Sequence, residues 1–354
     1  KKTIQDFEPD MYRLPRIIPG AVLEALDCKQ IKWPGHGIPP DSTHQFVEGE
    51  YMKGDEYDTF LEDPSDYAIR TIMPRLYGTL EPLRTLPALR SMLFGYSEST
   101  LTAVLAMPEY TKALESLLKA GREALKWQTG MSSFDREMAE SGFPLSTEAI
   151  TYAPFDMISD YFRGMQGAIF DMYRQPDKLL EACEKLLPMM IDKGVSGTKR
   201  SGNPRVFIPL HRGADGFMSL KQFESFYWST LKRLILALVD EGLTPCPFFE
   251  GDYTSRLEYL LELPKGKVLG HFDTTNIFKA KEVLGNHLCI KGNVPSSLLQ
   301  TGKPQDVKEY CQKLIDVVGK GGGFIMSPRS SIDDAKPENV KVMFDFTKEY
   351  GVYK

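Results

Sequence analysis

Polar side chains recur directly after short apolar runs in the second half of this chain. His211, Arg212 and Asp215 follow RVFIPL, and Glu250 and Asp252 follow TPCPFF. His271 and Asp273 stand at the end of KVLGHF, Asn293 ends CIKGN, and Ser327 and Arg329 stand at the end of GFIMSP. Two imidazoles and several carboxylates converging from neighbouring runs would supply nitrogen and oxygen ligands to a divalent cation such as zinc. Glu250 and His271 are the expected metal pair. His211, Arg329 and Asp273 are the candidates for catalysis, and Glu148, Tyr152, Asp252 and Asn293 for substrate contact.

Run ends meet only if the runs are parallel strands, so the stretches between them must be crossovers. Strands are predicted at 205–210, 244–249, 267–272, 287–292 and 323–327, with an earlier short one at 143–145. Ser219 and Gln222 make a capping box ahead of an apolar stripe of Phe223, Phe226, Tyr227, Leu231, Leu234, Ile235 and Leu238. Pro304 opens another helix, with Val307, Tyr310, Cys311, Leu314 and Ile315 facing inward. The spacing over 108–140 predicts a long helix buried along Leu114, Leu117, Leu118, Gly121 and Leu125. One helix between successive strands implies right-handed parallel crossovers, and eight such units close a (β/α)8 TIM barrel with its chemistry at the strand ends. An open doubly wound sheet is the alternative, but no GxGxxG follows any strand and no Walker A loop is present. The expected division is an irregular N-terminal segment, 1–90, packed on a barrel domain, 91–354.

Composition narrows the partners. The net charge is −5 with Lys and Arg scattered, which argues against nucleic acid, and no apolar run approaches a membrane span. Five distant cysteines without a CxxC pair read as reduced thiols in a cytoplasmic protein, monomeric or homodimeric.

Each candidate also has a structural reading. His211 can hydrogen-bond a loop carbonyl, Asp273 can cap a helix, Glu148 can do the same, and Asn293 can shape its turn. His287 reads as a strand start at the opposite face, and Gly321 to Gly323 as a turn.

Three segments carry a family resemblance: DYFRGMQGAIFDMYRQPDKLLEACEKL, KGNVPSSLLQTGKPQDVKEYCQKLID and GGGFIMSPRSSIDDAKPENVKVMFDFTKEYG. Together they resemble the uroporphyrinogen decarboxylase superfamily over about residues 140 to 351. The resemblance implies a (β/α)8 barrel and one of two chemistries: cofactor-free decarboxylation of a tetrapyrrole, or corrinoid-dependent methyl transfer assisted by zinc. The decarboxylases carry an RQAGRY-type arginine motif and a catalytic aspartate after the first strand; neither is found here, and HQFVEGEYMKGDEYDTFLEDPSDYAIRTIMPRLYG is similar to the methyltransferase-like members. The zinc-binding cysteines of the family's coenzyme M enzymes are missing too: their HxC region reads FFEGD and their later turn SPRS. The resemblance therefore implies an O-demethylase component. It would move a methyl group from a methoxylated, possibly aromatic, substrate to Co(I) of a corrinoid protein, with zinc on Glu250 and His271 polarising the ether oxygen. The aromatic N-terminal segment, with Tyr51, Tyr57 and Phe60, is expected to shape the pocket or the docking surface. A metal-free decarboxylase, with Arg212 and Arg329 pairing carboxylates, and a non-catalytic corrinoid or tetrapyrrole binding protein are the alternatives.

Overall fold

Runs such as VFIPL and PCPFF, apolar throughout, suit strands covered on both faces, as parallel strands are. In the computed structural model, which describes residues 1–13, 18–93 and 97–352 (side chains excepted over 92–100), they form one parallel sheet. Its strands are β1 (Ala149–Ile150), β2 (Arg205–Leu210), β3 (Thr244–Phe249), β4 (Leu269–Phe272), β5 (Cys289–Val294) and β6 (Phe324–Pro328), neighbours in that order. The strand expected at 143–145 is reduced to a parallel bridge from Tyr12 to Leu145, and pairing with β2 begins at Ala149. Among the described residues the sheet has six strands, where the sequence pattern led us to expect eight. It nevertheless curls, because residues of β2 to β6 and of the Met11 to Arg13 segment line a single cavity.

Prolines set where the sheet is open. Thr244 and Glu250 donate their N–H groups towards β2, so Pro245 and Pro247 face β4 with no N–H to offer. Pairing between β3 and β4 is accordingly confined to Phe248 with His271 and Phe249 with Phe272. Elsewhere the register sets Phe207 beside Cys246, and His271 beside Lys291 beside Ile325.

The crossover after β2 follows its sequence pattern. Ser219 Oγ accepts the Gln222 N–H at 3.3 Å, Gln222 Oε1 accepts the Ser219 N–H at 3.0 Å, and Phe223, Tyr227, Leu231, Leu234, Ile235 and Leu238 are all buried. After β5, Val307, Cys311 and Leu314 are buried as expected, while Tyr310 and Ile315 are half-buried. The helix Pro108–Glu140 has its predicted bounds but not its predicted face. Leu118 and Leu125 are 60% and 64% exposed, while Tyr110, Ala113 and Ala120 are buried. Small alanines allow close approach of a neighbouring element, and that outweighs the leucine count.

The chain forms two compact units. One comprises Lys1–Arg13, Met138–Asp156 and Cys183–Lys354 and contains the sheet; the other comprises Leu14–Glu137 and Met157–Ala182. The first ninety residues are thus divided between them. The second unit has a small sheet of Ile31–Pro34, Gly37–Ile38 and Gln45–Phe46 and a core around Leu80, Leu83, Leu86, Tyr110 and Ala113. Within it the Tyr57 hydroxyl donates to Asp171 at 2.8 Å, and Arg163 Nε lies 2.6 Å from the same carboxylate. Tyr57 and Phe60 are 2% exposed, so neither presents a docking surface. No helix among the described residues is long and apolar enough to cross a membrane.

Candidate active site at the strand ends

His211 and Glu250 each stand one residue past a strand, and His211 Nε2 lies 3.6 Å from Glu250 Oε2. The side chains are 32% and 52% exposed, so the pair is open to a substrate. What fixes its backbone is Asp156, fully buried, whose carboxylate accepts the N–H groups of His211 and Arg212 at 3.1 Å each. It also accepts the Tyr227 hydroxyl at 2.6 Å. The Tyr253 hydroxyl lies close by, 3.4 Å from the Leu210 carbonyl, and burial pushes both phenols well above their ordinary range, so both remain donors. Gly213 is needed where it stands: a Cβ there would meet Tyr227 Cε1 at 2.6 Å and Tyr253 Oη at 2.7 Å. Asp156 escaped the sequence reading. Its signal was a lone carboxylate within the apolar run YAPFDMI, which on burial must find donors.

A second group forms at the ends of β3, β4 and β6. Asp273 Oδ2 accepts the Gly251 N–H at 3.0 Å, and its Oδ1 lies 3.8 Å from Arg329 Nε. That Nε is buried and has no hydrogen-bond partner among the described residues. Two expected substrate contacts hold loops instead. Asp252 Oδ1 accepts the Thr254 N–H at 2.8 Å and its hydroxyl at 2.5 Å. Asn293, 2% exposed, donates to the carbonyls of Asp273 and Thr275 and accepts from Tyr310. Of the other two, Tyr152 lies just past β1, with Lys193 Nζ 6.0 Å from its ring centroid, whereas Glu148 precedes β1 at the far end of that strand.

His271 is one pleat deeper than Glu250, because the register sets it beside Phe248. Its Nε2 is 3.1 Å from the Pro328 carbonyl oxygen, and its ring lies 4.7 Å from that of Phe248. Burial, aided by the charge of Lys291 and Arg13, holds its pKa down to about 3, so the imidazole is neutral. The register thus sets His271 below Glu250, and the imidazole 3.6 Å from Glu250 is that of His211. Among the described residues no three His, Cys, Asp or Glu side chains converge to hold a metal ion, whereas a catalytic zinc takes three protein ligands. The donor set does not fit a resident zinc.

Residues 136–350, more than half of the chain, match the uroporphyrinogen decarboxylase family. The chain belongs to that family. A uroporphyrinogen decarboxylase of Syntrophotalea carbinolica is 24% identical over 130 residues, 37% of this chain and 37% of that protein. The chain thus matches little more than a third of that curated relative's length. A methyltransferase from Methanosarcina mazei has a TM-score of 0.60 at 14% identity, covering 99% of this chain and 83% of that one. At that identity the likeness shows the fold. The uroporphyrinogen decarboxylase family is a family of enzymes, and the His211–Glu250 pair with its Asp156 support is the arrangement at the strand ends best able to move a proton.

Proposed function

We propose that this chain is a methyltransferase that takes a methyl group from a small methoxylated compound, aromatic ones included. The acceptor would be Co(I) of a corrinoid carried by a partner protein, docked over the strand ends of a (β/α)8 barrel to which the six strands belong. The observation that carries this reading is the open His211–Glu250 pair, 3.6 Å apart. The likeness in fold to a methyltransferase over 99% of the chain supports it.

Cleaving a methyl ether leaves an oxygen anion that must be neutralised as it forms. Two converging donors fall short of a zinc site, so this reading gives the task to a proton. His211, 3.6 Å from Glu250, would act as the general acid that delivers a proton to the departing oxygen as the methyl–oxygen bond breaks. The electron pair of that bond stays on oxygen, the acceptor supplies the pair for the new bond to the methyl carbon, and His211 regains its proton from water. The Arg329 guanidinium, 30% exposed and steadied by Asp273 at 3.8 Å, is a second donor for the same oxygen.

The test is transfer from a panel of methoxylated compounds to a chemically reduced corrinoid, read from the loss of its Co(I) absorbance. His211→Ala and Glu250→Gln should each lower the rate about a hundredfold, the ordinary scale of one general acid. Absence of transfer with wild type, together with carbon dioxide release from a polycarboxylate, would return decarboxylation to the front. Plasma mass spectrometry on the same samples checks the proton: one zinc per chain, lost in Glu250→Gln, would replace His211 by a metal.

A further inference from the structure

Below the strand ends, towards the N-terminal halves of the strands, is a cavity of about 40 Å³ whose lining is cationic. Arg13, Arg205, Lys291 and His271 line it, together with Ser146 and Thr147, and no carboxylate does. Arg205 is occupied: its guanidinium donates to the Leu145 carbonyl at 2.9 Å and to Asn203 Oδ1 at 3.2 Å. The other two cations are not. Among the described residues neither the Lys291 ammonium nor the Arg13 guanidinium has a hydrogen bond or an ion pair, and Arg13 lies over the Phe207 ring at 3.4 Å. Lys291 projects from the middle of β5, between His271 of β4 and Ile325 of β6, so it cannot turn away to solvent as a helix-surface lysine can.

Like charges gathered around one cavity repel each other unless something of opposite sign joins them. The geometry points to a binding site for one small anionic group here, carried on Lys291 and Arg13, with the Ser146 and Thr147 hydroxyls as further donors. The volume limits what enters. A water needs at least about 10–15 Å³ of such space, so the cavity holds roughly three heavy atoms. A carboxylate has three and a halide one, whereas phosphate and sulfate have five. The ligand is accordingly a carboxylate or a monatomic anion. Arg13 is exposed at one side, which gives the ligand a way in. Nothing in this proposal depends on the methyl-transfer reading, since neither His211 nor Glu250 lines the cavity.

The test uses the full chain at constant ionic strength, titrated with sodium formate, sodium acetate and sodium bromide by calorimetry, with anomalous diffraction from bromide-soaked crystals. The expected result is saturable 1:1 binding that weakens at least tenfold in Lys291→Met and in Arg13→Gln, and a bromine peak between these two side chains. Formate and acetate binding well ahead of bromide would identify the ligand as the carboxylate end of an organic molecule; equal binding of bromide would identify a free inorganic anion. Absence of saturable binding in the wild type, or binding that survives in both variants, would overturn the proposal. Arg13→Gln changes an exposed side chain and tests the site independently should Lys291→Met not fold.

Discussion

His271 and Asp156 are both buried titratable side chains, and their surroundings give them opposite requirements. Burial and the nearby charges of Lys291 and Arg13 bring the His271 pKa to about 3 from an ordinary 6.5. Between those values the unfolded chain binds a proton that the folded one refuses, so stability is complete above pH 6.5 and falls as the pH drops towards 3. His271→Gln should flatten the urea-denaturation midpoint against pH over that window, removing a slope of up to about 1.4 kcal/mol per pH unit. Parallel profiles for wild type and variant would show that the histidine is charged in the folded protein. Asp156 is held by donors: two backbone N–H groups and a phenol. Asp156→Asn presents an amide to at least one of them and should cost about 1–3 kcal/mol per orphaned donor in chemical denaturation. It should also lower the rate through His211, with Arg212→Gln leaving stability unchanged as the comparison.

At the scale of elements, the βα loop after β2 is shaped by exclusion. Gly213→Ala drives a methyl group into Tyr227 and Tyr253 and should destabilise the protein by about 1–3 kcal/mol, while Gly216→Ala, with nothing within 4 Å, should be neutral. Differential scanning calorimetry of the two variants separates them. Elements with a continuous signal were legible in the sequence. Arg205–Leu210 and Thr244–Phe249 have their predicted bounds because each is apolar after its first residue, and the capping box at Ser219 announces its helix. Ala149–Ile150 was not legible, since two paired residues leave no period to read. The buried face of Pro108–Glu140 was misread because leucines outnumber the alanines that actually pack. At the site, single strand ends were legible and their meeting was not. His211 and His271 look alike in sequence, and only the register separates the one beside Glu250 from the one a pleat below. Lys291 did carry a signal, a charge inside an otherwise apolar strand, and it was passed over.

Over the whole molecule the five thiols report on integrity. Cys183, Cys246 and Cys311 are buried, and burial pushes Cys246 and Cys311 up to about 12 and Cys183 higher still. A thiol-specific reagent at pH 8 should titrate no more than Cys28 and Cys289 in the native protein and all five in denaturant. Rapid reaction of a third thiol would mean that the core opens locally. The threading of the chain has its own consequence. Met11 and Arg13 share a cavity with Ile325, so the two sides of that chamber are synthesised far apart in time. The sheet unit cannot be completed until Phe324–Pro328 has emerged. A nascent chain of this protein must therefore hold its early wall uncovered, exposed to chaperones, while the intervening strands are made.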